Sequence, residues 1–256
     1  MITAIALNTF REAIRNKVLY SGFLFVALLV AGSALFGSVS VGSQIKVIKD
    51  FGLFSLSLFG AIVAVAIGVN LLNKELKQKT IYNILSKPVE RWQFIVGKQL
   101  GLMFTAATLV CISGAFFILF AAAFEGRIDF LLFQAIYFVI LELMIVCSLT
   151  IFFSSVVITT TLTGLFTIGA YIAGRSASYL NYFLSGEGST TAFARGIARM
   201  LEVVIPNVGY FNIGNSIVYG IPVTPYHAML ATGYAILYSL ILCTLAALIF
   251  RYRELQ

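Results

Sequence analysis

Very few side chains in this sequence are placed to do chemistry, and the first is a lone acid. Glu142 falls near the middle of the apolar run "FLLFQAIYFVILELMIVCSLTIFF", where inserting a carboxylate costs roughly 2.5–3.5 kcal/mol. It must therefore face protein or water. Two roles stay open: a lining or gating group of a translocation path, or a protonated or hydrogen-bonded strut between helices, with a threonine of the following run as one partner. Other chemistry is missing. Cys111, Cys147 and Cys243 lie in apolar runs without a C-x-x-C pair, and His227 is the sole histidine, so neither a disulfide framework nor a zinc site is indicated. "GVNLLNKE" is the nearest approach to a phosphate-binding loop, and it lacks the second glycine and the lysine-hydroxyl pair. No G-x-S-x-G, H-E-x-x-H or paired carboxylates occur within an apolar run. The chain is expected to be no enzyme and to hold no cofactor or metal itself.

The elements that must position Glu142 follow from composition. Of 256 residues, 60% are hydrophobic and 11% charged, against roughly 25% charged in soluble domains, and the mean hydropathy is +0.99. These values define an integral membrane protein. Six runs are long enough to cross a bilayer as helices: Val18 to Val41, Phe51 to Leu72, Gln99 to Phe124, Phe130 to Phe153, Val156 to Gly174 and Tyr226 to Phe250. The N-terminal arm, the 73–98 loop and the C-terminal tail hold eleven Lys/Arg against four acids, whereas the opposite face holds six against five. Six spans place both termini on one side, and the positive-inside rule makes that side cytoplasmic. A net charge of +7 thus records topology rather than nucleic-acid binding. The expected address is the inner (cytoplasmic) membrane, multi-pass.

Two further segments shape the expectation. Over residues 1–17, Ile2, Ile5, Ala6, Phe10, Ala13 and Ile14 gather on one side of a helical wheel, opposite Asn8, Arg11, Glu12, Arg15 and Asn16, which predicts an amphipathic interfacial helix. The following apolar run is too long for a signal-peptide core, and no A-x-A site follows it. Residues 175–225 are too apolar for a free loop. "STTAFARGIARMLEVVI" and "NVGYFNIGNSIVYG" predict two short re-entrant helices in the outer leaflet, tolerable only where protein or water covers their ends. The whole expectation is an all-α polytopic protein, one transmembrane domain over 1–256, with six spans, an N-terminal interfacial helix and two re-entrant helices before the last span. The fifth run carries five threonines and Gly164, Gly169 and Gly174, suited to close helix contact either within the bundle or between two copies.

The most polar stretch is "NKELKQKTIYNILSKPVERWQF", residues 73–94. Leu76, Ile81, Ile84 and Leu85 alternate with Lys74, Glu75, Lys77 and Lys79, and Lys87-Pro88 ends the helix. Such a helix offers one face to the bundle or lipid and another to a cytoplasmic partner. From Lys74 to Gly101 the sequence resembles the ABC type-2 transporter permeases: Glu75, Thr80, Leu85-Ser86-Lys87-Pro88, Arg91-Trp92, and Gly97-Lys98 with Gly101 fall in that family's order. "PNVGYFN" and the basic end "RYRE" extend the likeness. The resemblance implies a permease subunit of an ATP-driven exporter. Two copies, or this chain and a related permease, would pair around the path. Cytoplasmic ATPase subunits carrying ATP and magnesium would dock on a coupling helix containing Glu75, Leu76, Thr80, Ile81, Leu85, Ser86, Lys87 and Pro88. Together with the small residues of the first and fifth runs it points to Ala27, Ala31, Gly164 and Thr167 as pairing contacts. A stand-alone channel or ion-coupled secondary transporter is the alternative, for which the basic loop would be a topology signal only.

Overall fold

The structure, a computed structural model, describes residues 1–15, 17–39, 44–77, 90–157, 159–185 and 205–252. Helix α1 (Ile2–Ile14) is amphipathic as its pattern requires: Ala6, Thr9 and Ala13 are buried, while Asn8, Arg11 and Arg15 are exposed. Helices α2 (Lys17–Val39) and α3 (Gln44–Lys77) form an antiparallel pair, closed where the Gln44 amide donates to the Ala34 carbonyl at 3.4 Å. α4 (Arg91–Glu125) stops at Gly126, whose φ of 74° lies in the left-handed region and whose N–H reaches the Ala122 carbonyl at 2.8 Å, a glycine-terminated helix end. α5 (Leu131–Val156) is the central helix, packed by α3, α4, α6 (Thr160–Ser185) and α8 (Pro225–Tyr252). Its Leu132, Phe138, Ile145 and Val146 are almost fully enclosed.

Polar contacts tie each end of the bundle. At one end α1 lies on α4, and Arg91 Nη1 donates to the carbonyls of Phe250 and Arg251 at 3.3 and 2.9 Å. Satisfying the orphan carbonyls at the end of α8 with a cation suits that helix's dipole. At the other end Lys49 Nζ lies 2.7 Å from both Glu125 and Asp129, clamping the start of α3 to the α4–α5 turn. There too the Val223 N–H donates to Gln134 Oε1 at 3.3 Å.

The expected count of spans is corrected. Among the described residues five helices are long and apolar enough to cross a membrane: Lys17–Gly37, Gln44–Leu71, Arg91–Glu125, Leu131–Val156 and Pro225–Arg251. The run Val156 to Gly174 is not among them. Its helix, α6, has 26 residues but is diluted by threonines and glycines and runs on through Arg175, which the charge count had placed in an outer loop. The re-entrant helices are corrected too. Most of "STTAFARGIARMLEVVI" lies outside the described residues. "NVGYFNIGNSIVYG" forms a four-residue 3-10 turn, Val208–Phe211, and the five-residue helix α7, Gly214–Val218. Gly209, Gly214 and Gly220 and three asparagines interrupt helix in this stretch; Asn212 Oδ1 instead accepts the Gly214 N–H at 3.4 Å, and Gly220 takes a positive φ of 74°.

Candidate functional site

α6 carries Thr163, Thr167, Tyr171 and Arg175 at four-residue intervals, one stripe on a helix, and the stripe is turned inward. Thr163 and Thr167 are fully buried, with hydroxyls donating to the carbonyls four residues back at 3.1 and 2.8 Å. Below them Tyr171 and Arg175 meet Glu142 of α5 and Ser57 of α3. Arg175 Nη1 lies 2.7 Å from Glu142 Oε1, 2.6 Å from Ser57 Oγ and 2.9 Å from the Tyr171 hydroxyl. Ser57 donates to Glu142 Oε2 at 2.7 Å, and Tyr171 donates to Oε1 at 3.1 Å. The Glu142 side chain is 2% exposed and that of Arg175 24%. Each carboxylate oxygen is thus occupied, as a charge held away from water requires.

The partners of Glu142 therefore differ from those expected. Ser57, Tyr171 and Arg175 hold it, and the threonines bond to their own backbone. All three partners are remote in sequence, and only the four-residue polar stripe of α6 signalled that Arg175 faces inward. Beside the cluster lies a cavity of about 90 Å³, lined on one side by Ser57, Glu142 and Arg175 and elsewhere by Asp50, Asn212 and Asn215 among others.

The remaining predicted residues scatter. Ala31 is exposed and Ala27 half-buried. Gly164 is half-buried, and a Cβ there would have only Val69 Cγ2, at 4.0 Å, within reach. Thr167 is turned inside the chain. Glu75 and Leu76 fall in the last turn of α3, whereas Thr80, Ile81, Leu85, Ser86, Lys87 and Pro88 lie outside the described residues. The motif beyond them is described and acquires a physical role. Gly97 and Gly101 are where α1 touches α4: a Cβ on Gly101 would stand 2.5 Å from Thr9 Cβ and 2.7 Å from the Ala6 carbonyl oxygen, and one on Gly97 would stand 2.8 Å from Ile5 Cβ. Lys98 between them is buried, its Nζ 5.7 Å from the centre of the Phe94 ring. The indole N–H of Trp92 donates to Glu90.

Among the described residues no three His, Cys, Asp or Glu side chains converge as a metal site would need. What the fold and the cluster define is a polytopic, mostly helical membrane protein with a charge pair in its interior and, among the described residues, no catalytic constellation. The family profile described as "ABC-2 family transporter protein" matches residues 3–255, and the chain belongs to that family as a membrane permease subunit of an ABC transporter. No curated protein matches the chain.

Proposed function

We propose that this chain is the permease half of an ATP-driven exporter, that it works as a pair of permeases, and that a cytoplasmic ATPase docks on residues 73–94. The observation that carries the reading is the family match over 3–255, joined to the basic, amphipathic character of that segment. It links the end of α3 to the start of α4, the end of the bundle where α1 and the last turn of α8 each contact α4. That end gathers the strongly basic parts of the chain and is assigned to the cytoplasm by the positive-inside rule. The outward face of α6 supports pairing: Leu162, Leu165, Phe166, Ile168 and Ile172 are exposed, and a Cβ at Gly169 would have nothing within 4 Å. Ala31 of α2 is equally open. In this reading Glu142 and Arg175 form the polar wall of the path between α3, α5 and α6.

Copurification tests it. The permease should bring down a subunit with nucleotide-binding loops. Exposed charges contribute only about 0–1 kcal/mol, whereas losing an interface anchor costs about 2 kcal/mol or more. Ile81→Asp or Leu85→Asp should therefore abolish ATPase association, and Lys77→Ala should leave it nearly intact. Normal association in both aspartate variants would reduce the segment to a topology signal.

A further inference from the structure

The charge pair explains itself, but the cavity beside it does not. All three hydrogen bonds of Arg175 leave from Nη1; among the described residues its Nε and Nη2 meet no acceptor, leaving three N–H donors of the guanidinium fork unused. Arg175 is one wall of the cavity, and Asp50, exposed and also lining it, makes no ion pair among the described residues. Asp50 and Ser57 sit seven residues apart on α3, about 10 Å along the axis, and Ser57 holds Arg175 at 2.6 Å. Arg175, with donors to spare, and the uncommitted carboxylate of Asp50 thus line the same cavity, from α6 and from α3. A volume near 90 Å³ leaves room for a small charged group rather than a whole amphiphile.

These facts select the ligand by charge. A simple cation would gain at Asp50 but meet Arg175, and a simple anion would gain at the spare donors of Arg175 but meet Asp50 and the Glu142 carboxylate already paired with Arg175. A group with an anionic oxygen directed at Nε and Nη2 of Arg175 and an ammonium directed at Asp50 satisfies both. We infer that this cavity is a binding site for a small zwitterion, with the carboxylate or phosphate oxygen on Arg175 and the ammonium on Asp50. The asparagines at positions 212 and 215 line the same cavity with side chains that can donate and accept. An amino-acid-like solute and an aminophospholipid headgroup share this chemistry. As a cargo subsite the inference rests on the exporter reading; as a binding site it does not.

The test is equilibrium binding to the full chain in nanodiscs, using 4-aminobutyrate and glycerophosphoethanolamine as zwitterions, ethanolamine as the cation and inorganic phosphate as the anion. At least one zwitterion should bind ten times more tightly than either singly charged probe, and Asp50→Asn should weaken it fivefold or more. Asp50 is exposed, so this variant leaves the bundle intact; Arg175→Gln serves as a second variant only if it stays folded. Including phosphatidylethanolamine in the nanodisc separates the sources. Displacement of the soluble probe assigns the site to a headgroup, and undiminished binding assigns it to a solute. No zwitterion binding, equal binding of ethanolamine or phosphate, or no effect of Asp50→Asn overturns the inference. An ATPase that copurifies with a chain binding no zwitterion removes the site and leaves the exporter reading. A chain that binds zwitterion but captures no ATPase does the reverse.

Discussion

Gly101→Ala should loosen the N-terminal helix from the bundle. The new Cβ would lie 2.5 Å from Thr9 Cβ and 2.7 Å from the backbone oxygen of Ala6. Carbon atoms settle at about 3.5–4.0 Å, so α1 must withdraw by roughly 1 Å, and a backbone oxygen cannot rotate aside as a side-chain end does. Overpacking of this kind costs about 1–3 kcal/mol. Replacing glycine by alanine inside a helix returns about 1 kcal/mol through propensity, leaving a net loss of up to about 2 kcal/mol. For a chain of this size each kcal/mol moves the midpoint by roughly 2–4 °C. The matched control is Gly169→Ala on α6, where nothing lies within 4 Å and only the propensity gain acts. Thermal unfolding in detergent, followed by the fluorescence of Trp92, the only tryptophan, compares them. Gly101→Ala should melt several degrees below Gly169→Ala. Equal midpoints would refute the packing argument.

Arg175→Gln removes the cation from a carboxylate that is 2% exposed, a change that costs about 3–5 kcal/mol when a buried pair is broken. The double variant Glu142→Gln with Arg175→Gln should recover part of that loss, and a double-mutant cycle on unfolding midpoints reads the coupling. A Cβ on Gly164 would meet, among the described residues, nothing nearer than Val69 at 4.0 Å; Gly164→Leu should leave the monomer's stability nearly unchanged and weaken pairing, measured by crosslinking in the membrane. Burial pushes the Asp129 carboxyl up, but the Lys49 hydrogen bond, the Leu131 N–H and the charges of Lys49 and Arg127 outweigh it and hold the group below its ordinary value of 3.8. A carboxylate lowered in the folded state stabilises above its unfolded pKa and loses that contribution as pH falls through the folded one. Its share should be intact at pH 5 and vanish only below the ordinary carboxylate range, and Asp129→Asn should remove that acid-dependent part of the unfolding midpoint.

Residues with strong periodicity were legible. The buried face of α1 is the one its wheel separates, because an amphipathic helix must turn Ala6 and Ala13 inward wherever it rests. The first four apolar runs and the last were legible as helices, although α3 begins at Gln44 and α4 at Arg91, since a helix continues past its apolar part while its residues still favour helix. The partners of Glu142 were not legible as a set. Ser57 stands 85 residues from Glu142 and Arg175 33, and no local pattern reports which faces of three helices meet. The role of Gly97 and Gly101 was hidden for a different reason: their spacing suits close helix contact, but only the seated α1 shows which helix makes it.

The helix that composition fails to rank with the other five is also the one that supplies half of the polar cluster, Tyr171 and Arg175, and the two facts have one cause. Hydropathy averages the whole circumference of a helix. On α6 the polar residues are confined to one stripe, Thr163, Thr167, Tyr171 and Arg175, while Leu162, Leu165, Phe166, Ile168 and Ile172 point away from it. The stripe faces inward: the Thr163 and Thr167 hydroxyls bond carbonyls of α6 itself, and Tyr171 and Arg175 find partners on α3 and α5, so the cost of holding them away from water is met inside the protein. A helix of this kind depends on its neighbours far more than an evenly apolar one, because separating it from α3 and α5 exposes Arg175, Tyr171 and Glu142 together. Separating α6 from α5 therefore requires breaking the Glu142–Arg175 contact, 2.7 Å in the folded bundle.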